Sequence, residues 1–284
     1  MVVDKPAGMT SHDVVAHCRR ALGQRQVGHG GTLDPSATGV LLVGAGAATR
    51  LLRFVSDLPK TYEGEVVLGV ETTTLDADGE VVATHDMAGV TLHAVREAAA
   101  RFVGEIEQVP PMVSAVKVGG RRLHELARAG VEVERAARPV VVHRFAVEGG
   151  REPGVVRIAV DCSSGTYVRS LAADLGVALG GGAHLRALRR TAVGPFALAD
   201  ARPLADIGPG SLLPAAAAVR HLPAATVDAE TAARVAHGAV LAREDGPFPG
   251  DGPWAVLDGD GALLAVYEAR GEERAKPSVV LSGR

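Results

Sequence analysis

Cysteine is nearly absent. The 284-residue chain holds two, Cys18 and Cys162, far apart and at no metal-binding spacing. That excludes a disulfide framework or a zinc module and predicts buried thiols in a reducing compartment. A basic leader followed by a long apolar run is missing. No apolar stretch approaches the length of a membrane span. A soluble, cytoplasmic protein is therefore expected. A general excess of positive charge is missing too. The net charge is −3, so a nucleic-acid partner has to be met by a local patch. Lysine is scarce, 4 residues against 26 arginines, yet three stand in motif-like places: Lys5 in DKPAG, Lys60 in KTYEG and Lys117 in SAVKVGG. There is no internal repeat. No G-x-G-x-x-G or P-loop pattern occurs, which speaks against a nucleotide-binding enzyme built on a phosphate loop.

What is present is organised around residues 28–39, GHGGTLDPSATG. Asp34 is the only acid in this stretch. Pro35 follows it and biases it toward extended geometry. By itself, a carboxylate on a rigid Gly-rich turn can be a nucleophile, a base or a turn-maker, and this window leaves all three open. His29 has no His or Cys partner at a metal-ligand spacing.

The length suits one large domain, or one large and one small, and the apolar fraction of 47% suffices for a core. Residues 1–9 read as a strand broken at Pro6 and Gly8. Val14, Val15, Cys18 and Leu22 predict a helix over 11–22, capped by Ser11 and ended by Gly23. VLLVGAG reads as a buried strand and AATRLLRFVSD as a short helix. YEGEVVLGV reads as a strand with Tyr62, Gly64, Val66, Leu68 and Val70 on one face. EVVATHD reads as a further strand. Residues 91–103 read as a helix capped by Thr91 and stopped by Gly104.

Residues 105–138 are different in kind: polar, poorly periodic, with a Pro pair, a Gly pair and a short helix at RRLHELARAG. A loop this long is uncommon without a job. PVVVHRFAVE and VVRIAVDCS then read as strands, VRSLAADLGVALG as a helix, and HLRALRRTAVGPF leads into another strand. The stretch 208–224 reads as a linker. The tail beyond it has no long helix signal and reads as short strands between Gly/Pro/Asp turns, a small β-barrel pattern. Residues 117–144 carry 7 basic against 3 acidic residues, whereas residues 221–284 carry 6 against 10. A polyanion contact is therefore expected in the middle of the chain.

DKPAGMTSHD, GHGGTLDPSATG, KTYEG, the basic stretch with PPMVSAVK, and SSGTYVRSLAADLG follow in this order over essentially the whole chain. Together they resemble the tRNA pseudouridine-55 synthases (TruB family). The resemblance implies an α+β fold: a mixed, largely antiparallel central sheet with flanking helices and an active-site cleft. It implies a catalytic domain over 1–221, with an RNA-binding insertion at about 105–138, and a small PUA-like β-barrel over 222–284. The implied reaction breaks the N1–C1′ bond of uridine 55 in the tRNA T-loop, turns the uracil and rejoins it through C5. It needs no cofactor and no metal, and a monomer is implied, with the T-arm stem-loop as partner and no membrane. Two alternatives are a non-catalytic RNA-binding or tRNA-folding protein on the same scaffold, and a guide-RNA-dependent rRNA synthase.

On this resemblance Asp34 is the catalytic carboxylate. Whether it adds to C1′, adds to C6 or removes a sugar proton is not set by the sequence. Arg169, in GTYVR, matches the arginine that pairs with it and keeps it ionised in a dry pocket. Tyr62 matches the tyrosine that stacks on the target base. Tyr167 and Leu188 match further pocket positions, and His29 a contact to the extruded nucleotides. Extruding a stacked uridine costs about a few kcal/mol, which contacts to the RNA must offset. Candidate contacts are Lys5, Lys60, Lys117, Arg121 and Arg122. Arg186, Arg189 and Arg190 extend that set. One position departs from the family pattern: Thr73 stands where an acid is common, so any RNA-binding role of that acid is missing here or passes to Asp76.

Overall fold

The computed structural model describes residues 1–114, 117–118, 120–123, 131 and 133–281, with the backbone alone for Lys117, Val118, Arg122 and Asp245. In chain order the first elements are β1 (Val2–Lys5), α1 (Ser11–Leu22), β2 (Val27–Gly30), β3 (Thr38–Ala45) and α2 (Leu52–Ser56). Next come β4 (Lys60–Leu68), β5 (Val70–Thr72), β6 (Val81–Thr84), α3 (Leu92–Ala100), β7 (Gly104–Gln108), β8 (Lys117–Val118) and β9 (Arg121–Arg122). They are followed by β10 (Arg138–Gly149), β11 (Val155–Cys162), α4 (Val168–Ala178), β12 (Ala183–Val193), β13 (Phe196–Ala197) and β14 (Arg202–Pro203). The last are β15 (Ala224–Thr226), α5 (Ala229–Ala236), β16 (Leu241–Ala242), β17 (Trp254–Leu257), β18 (Leu263–Arg270) and β19 (Arg274–Val280). The chain forms two compact units. One comprises Met1–Asp34, Val40–Asp57 and Gly194–Arg284, the other Pro35–Gly39 and Leu58–Val193.

In the first unit, α1 starts one residue earlier in its capping than expected. Thr10 is the N-cap: its hydroxyl accepts the Asp13 N–H at 3.1 Å, and the Asp13 carboxylate accepts the Thr10 N–H at 2.9 Å. Gly23, at φ 58°, ends the helix in the left-handed region. The stripe Val14, Val15 and Cys18 packs with Val3, Val27, Leu41, Val43, Leu204 and Ile207. The strands here are β1, parallel to β14, and β2, antiparallel to β3.

Residues 224–280 of this unit build a five-stranded sheet in the order β15-β17-β18-β19-β16, around Trp254, Tyr267 and Phe248. That agrees with the small β pattern, to which the structure adds the short helix α5. It has eight residues, an Asp228 cap accepting the Thr231 N–H at 2.7 Å, and only Thr231 and Val235 buried. Two buried positions leave almost no apolar period to read. The expected linker is also more ordered than a tether. It holds two 3-10 turns, Pro209–Ser211 and Ala215–Val219, and Val219 packs with Leu51, Ala255 and Val266.

In the second unit, a sheet runs β12-β4-β11-β10-β7 with antiparallel neighbours throughout. The start of β3 pairs parallel with β12, Thr38 opposite Arg189 and Gly39 opposite Arg190. The fold is thus the mixed, largely antiparallel one expected. Period-two alternation sorts the faces. Val66, Ile158 and Val160 are buried, and α3 and α4 pack against the sheet with Val95, Leu171 and Leu175 inward. β4 stops at Leu68 because Gly69, at φ 83°, turns the chain away, so Val70 is not on its face. β7 is a strand where the irregular basic stretch was expected to begin. Its single apolar residue, Ile106, gives the sequence no pattern. The expected helix at RRLHELARAG falls largely outside the described residues.

Candidate active-site residues

In the first unit, the Gly-rich stretch starts as β2 and leaves the sheet after Gly30. Ser11, buried at the start of α1, fixes the next turn. Its hydroxyl accepts the Leu33 N–H at 2.9 Å and donates to the Leu33 carbonyl at 3.1 Å. Leu33 itself is buried, and the half-buried Asp34 follows it. The backbone that presents Asp34 is therefore tied to a helix start rather than left as a free loop. His29 lies on β2 opposite Val43, and its ring meets His12 edge-on at 5.2 Å. Lys5 is fully buried. Its ammonium donates to the carbonyls of Pro6 at 2.9 Å and Met9 at 2.7 Å, closing the turn between β1 and α1.

In the second unit, Arg169 sits in the first turn of α4 with its side chain 4% exposed. One arm of its guanidinium faces the Asp76 carboxylate at 3.3 Å and donates to the Thr74 carbonyl at 3.1 Å. The other arm donates to the Val113 carbonyl at 2.8 Å. Asp76 rides on a tight turn. The Thr72 hydroxyl donates to its carbonyl at 2.7 Å, and the Thr74 hydroxyl and Asp78 N–H reach its carboxylate. Leu75, at φ 63°, holds a left-handed conformation that costs a leucine on the order of 1 kcal/mol. A buried guanidinium without a carboxylate is costly, and Asp76 is one group that offsets that cost for Arg169 at this depth. Sequence reading missed this partner because LDADG looks like an ordinary turn.

Tyr167 caps the same helix with its backbone. Its N–H is accepted by Gln108 Oε1 at 2.7 Å and its carbonyl accepts from Gln108 Nε2 at 3.1 Å. Gln108 is a second residue that sequence reading missed. Tyr62 lies in the middle of the sheet on β4, 8% exposed, with Val160 of β11 on one side and Arg190 of β12 on the other. Leu188 stands opposite Gly64 on β12 and lines an open groove of about 570 Å³ together with Glu63, Arg144, Arg157 and Arg189.

The expected RNA contacts separate into groups. Lys5, Lys60 and Arg190 are buried, at 0%, 7% and 1% exposed. Lys60 donates to the Leu58 carbonyl at 2.7 Å. Arg186 is half-buried and already matched, to Glu65 at 2.7 Å and Glu152 at 2.9 Å. Arg189 donates to the Thr38 hydroxyl at 3.2 Å. Arg121 is exposed on the β8–β9 hairpin, while the side chains of Lys117 and Arg122 lie outside the described residues. Thr73 closes its turn on Glu80, through its N–H at 2.9 Å and its hydroxyl at 3.1 Å. The Asp76 carboxylate, the alternative for that acid, faces Arg169 and is largely buried. Among the described residues no group of three His, Cys, Asp or Glu could hold a metal ion.

Comparison with known proteins adds three results. Residues 19–168 match the family model described as TruB family pseudouridylate synthase (N terminal domain). Residues 169–213 match a tRNA pseudouridylate synthase B C-terminal domain, and residues 222–282 a tRNA pseudouridine synthase II C-terminal domain. Among curated relatives, the tRNA pseudouridine synthase B of Rhodococcus jostii is 48% identical over 99% of this chain and 93% of its own. That of Symbiobacterium thermophilum is 55% identical over 82% of this chain and 80% of its own. Among solved structures, an H/ACA RNP bound to a substrate RNA containing 2′-deoxyuridine aligns with a TM-score of 0.75 at 27% identity, over 100% of this chain and 85% of that one. A Cbf5-Nop10-Gar1 complex aligns with a TM-score of 0.74 at 29% identity, over 100% and 84%.

Proposed function

The chain belongs to the TruB family of pseudouridylate synthases, and on that premise we propose that its substrate is uridine 55 in the T-loop of tRNA. The reaction is the isomerisation of a tRNA uridine to pseudouridine. Asp34 is proposed as the nucleophile that opens the N1–C1′ bond. The uracil turns without leaving, and a C5–C1′ bond replaces the one broken. The proton from C5 ends on nitrogen, so nothing is consumed.

The observation that carries this reading is the lock of Ser11 on Leu33, which gives the carboxylate after it a fixed backbone. Tyr62 is proposed as the ring that stacks on the base, with Tyr167 and Leu188 as further pocket residues and His29 as a contact to the extruded strand. Arg169 is proposed as the residue that keeps the Asp34 carboxylate ionised. Residues 1–221 are proposed as the catalytic part, with the insertion at about 105–138 gripping the T-arm, and 222–284 as the PUA-like part. A cytoplasmic monomer fits this role. Among the described residues no helix is long and apolar enough to cross a membrane.

The test is direct. A T-arm stem-loop RNA is incubated with the wild-type protein and with Asp34→Asn, and product and binding are measured. Product from wild type, none from the variant, and similar binding are expected. Product from the variant would remove Asp34 from the chemistry. Binding without product in the wild type would favour an RNA-folding role. The guide-dependent reading has solved neighbours at 27% and 29% identity, against 48% for a tRNA synthase relative across nearly the whole chain. An inert isolated T-arm with an active guided complex would reverse that ordering.

A further inference from the structure

Gln108 is the last residue of β7, and Arg138, the first of β10, stands directly opposite it. These two residues are the feet of the segment 109–137. Gln108 is 2% exposed, and its amide closes a ring of two hydrogen bonds on Tyr167, one to the backbone carbonyl and one from the backbone N–H. The next residues continue the stitching. Ser170 Oγ donates to the Val109 carbonyl at 3.1 Å, and Arg169 donates to the Val113 carbonyl at 2.8 Å. Four hydrogen bonds thus join the foot of the segment to residues 167–170 at the start of α4.

Filling the space would need only an apolar side chain. The carboxamide does something else: it offers one donor and one acceptor at the spacing of a single residue's N–H and C=O. Glutamate keeps the acceptor and loses the donor. Leucine keeps most of the volume and loses both. We propose that Gln108 is a positioning residue for catalysis, coupling the end of β7 and the backbone of Val109 and Val113 to Tyr167 and Arg169, so that these two residues are set in register with bound RNA. This rests on the functional reading above.

The test compares wild type, Gln108→Leu and Gln108→Glu on a T-arm stem-loop under single-turnover conditions, with RNA affinity and thermal midpoint measured alongside. At saturating RNA the rate of Gln108→Leu should fall about 10- to 100-fold, because a small misregistration of positioned groups is enough for that. Gln108→Glu should fall between the two, and affinity should change by less than about 3-fold in both. A purely structural residue would lower the midpoint and leave the saturated rate of the folded fraction intact. Such an intact rate in folded Gln108→Leu overturns the proposal, as does a loss confined to affinity. If Gln108→Leu does not fold, Gln108→Glu decides: a saturated rate equal to wild type overturns the coupling. No product from wild type itself is a different failure, that of the functional reading.

Discussion

The hydroxyl of Ser11 holds both backbone polar groups of Leu33, accepting at 2.9 Å and donating at 3.1 Å. One buried oxygen so ties the start of α1 to the residue before Asp34. Ser11→Ala should leave that N–H and carbonyl without their partner, at a cost of about 1–2 kcal/mol. The larger effect should be on chemistry, because the Asp34 backbone loses its anchor. A drop of about 10-fold or more in the rate at saturating RNA is expected. Rate assays and urea unfolding on the same preparation check both. Unchanged rate and unchanged stability would show that the lock is dispensable.

Ser11 also shows where sequence reading stops. TSHD offers two adjacent capping residues, and nothing local says which one caps. The structure gives the cap to Thr10 and turns Ser11 toward a residue 22 positions away. Strands such as β4 and β11 are legible because burial imposes a period of two on them. Asp34, Tyr62 and Arg169 stand in motifs that single them out as proposals. Gln108 and Asp76 are not legible, because a buried polar residue paired to a distant backbone or side chain leaves no periodic trace. Lys5 and Lys60 stand in motifs, but their ammonium groups serve neighbouring carbonyls, which a lysine in a sequence does not reveal.

Asp76 supports the buried guanidinium of Arg169 at 3.3 Å, with side chains 11% and 4% exposed. Asp76→Ala should destabilise the protein by about 3 kcal/mol, the scale for breaking a buried pair from one side. Asp76→Asn keeps the shape and an acceptor oxygen. It should unfold at a higher urea concentration than Asp76→Ala while still reacting more slowly than wild type. Equal midpoints for wild type and Asp76→Ala would contradict the pairing.

Gly39 is set by close approach as well as by its backbone angle. At φ 104°, an added Cβ would lie 2.1 Å from the Arg190 carbonyl oxygen. That approach belongs to the parallel pairing of β3 with β12, so relief requires the strands to part. Gly39→Ala should therefore lose about 3 kcal/mol or more. Gly28→Ala is the control. Its Cβ would meet only Leu52 Cδ1 at 3.4 Å, an ordinary van der Waals distance. Thermal unfolding should separate the two variants clearly, and equal midpoints would count against the clash.

RNA affinity should depend on salt through the basic middle of the chain. Arg121→Ala with Arg122→Ala should lower the slope of log affinity against log salt by about 0.7–0.9 for each phosphate that is no longer neutralised. Arg186→Ala should leave the slope nearly unchanged, since Arg186 is matched by Glu65 and Glu152. Binding titrations across a range of salt concentrations check this. A larger slope change in Arg186→Ala would move the phosphate-binding role onto the sheet.

Cys162 gives a prediction about pH. It is fully buried at the end of β11, and burial pushes its thiol up to about 11. A thiol in the unfolded chain ionises near 9.0. Between these values the unfolded chain releases a proton that the folded one keeps, so the contribution of Cys162 to stability is complete below pH 9 and is lost as pH rises toward 11. Cys162→Ala should have a shallower alkaline limb in its stability profile, though a lower stability at neutral pH from the cavity it leaves. Thiol reactivity reads the same burial. At about pH 8 the folded protein should resist alkylation at both Cys162 and Cys18, whose thiol burial also raises. Unfolding in guanidinium should release two reactive thiols per chain. Rapid labelling of Cys162 in the folded protein would mean that the end of β11 opens on the time scale of the reagent.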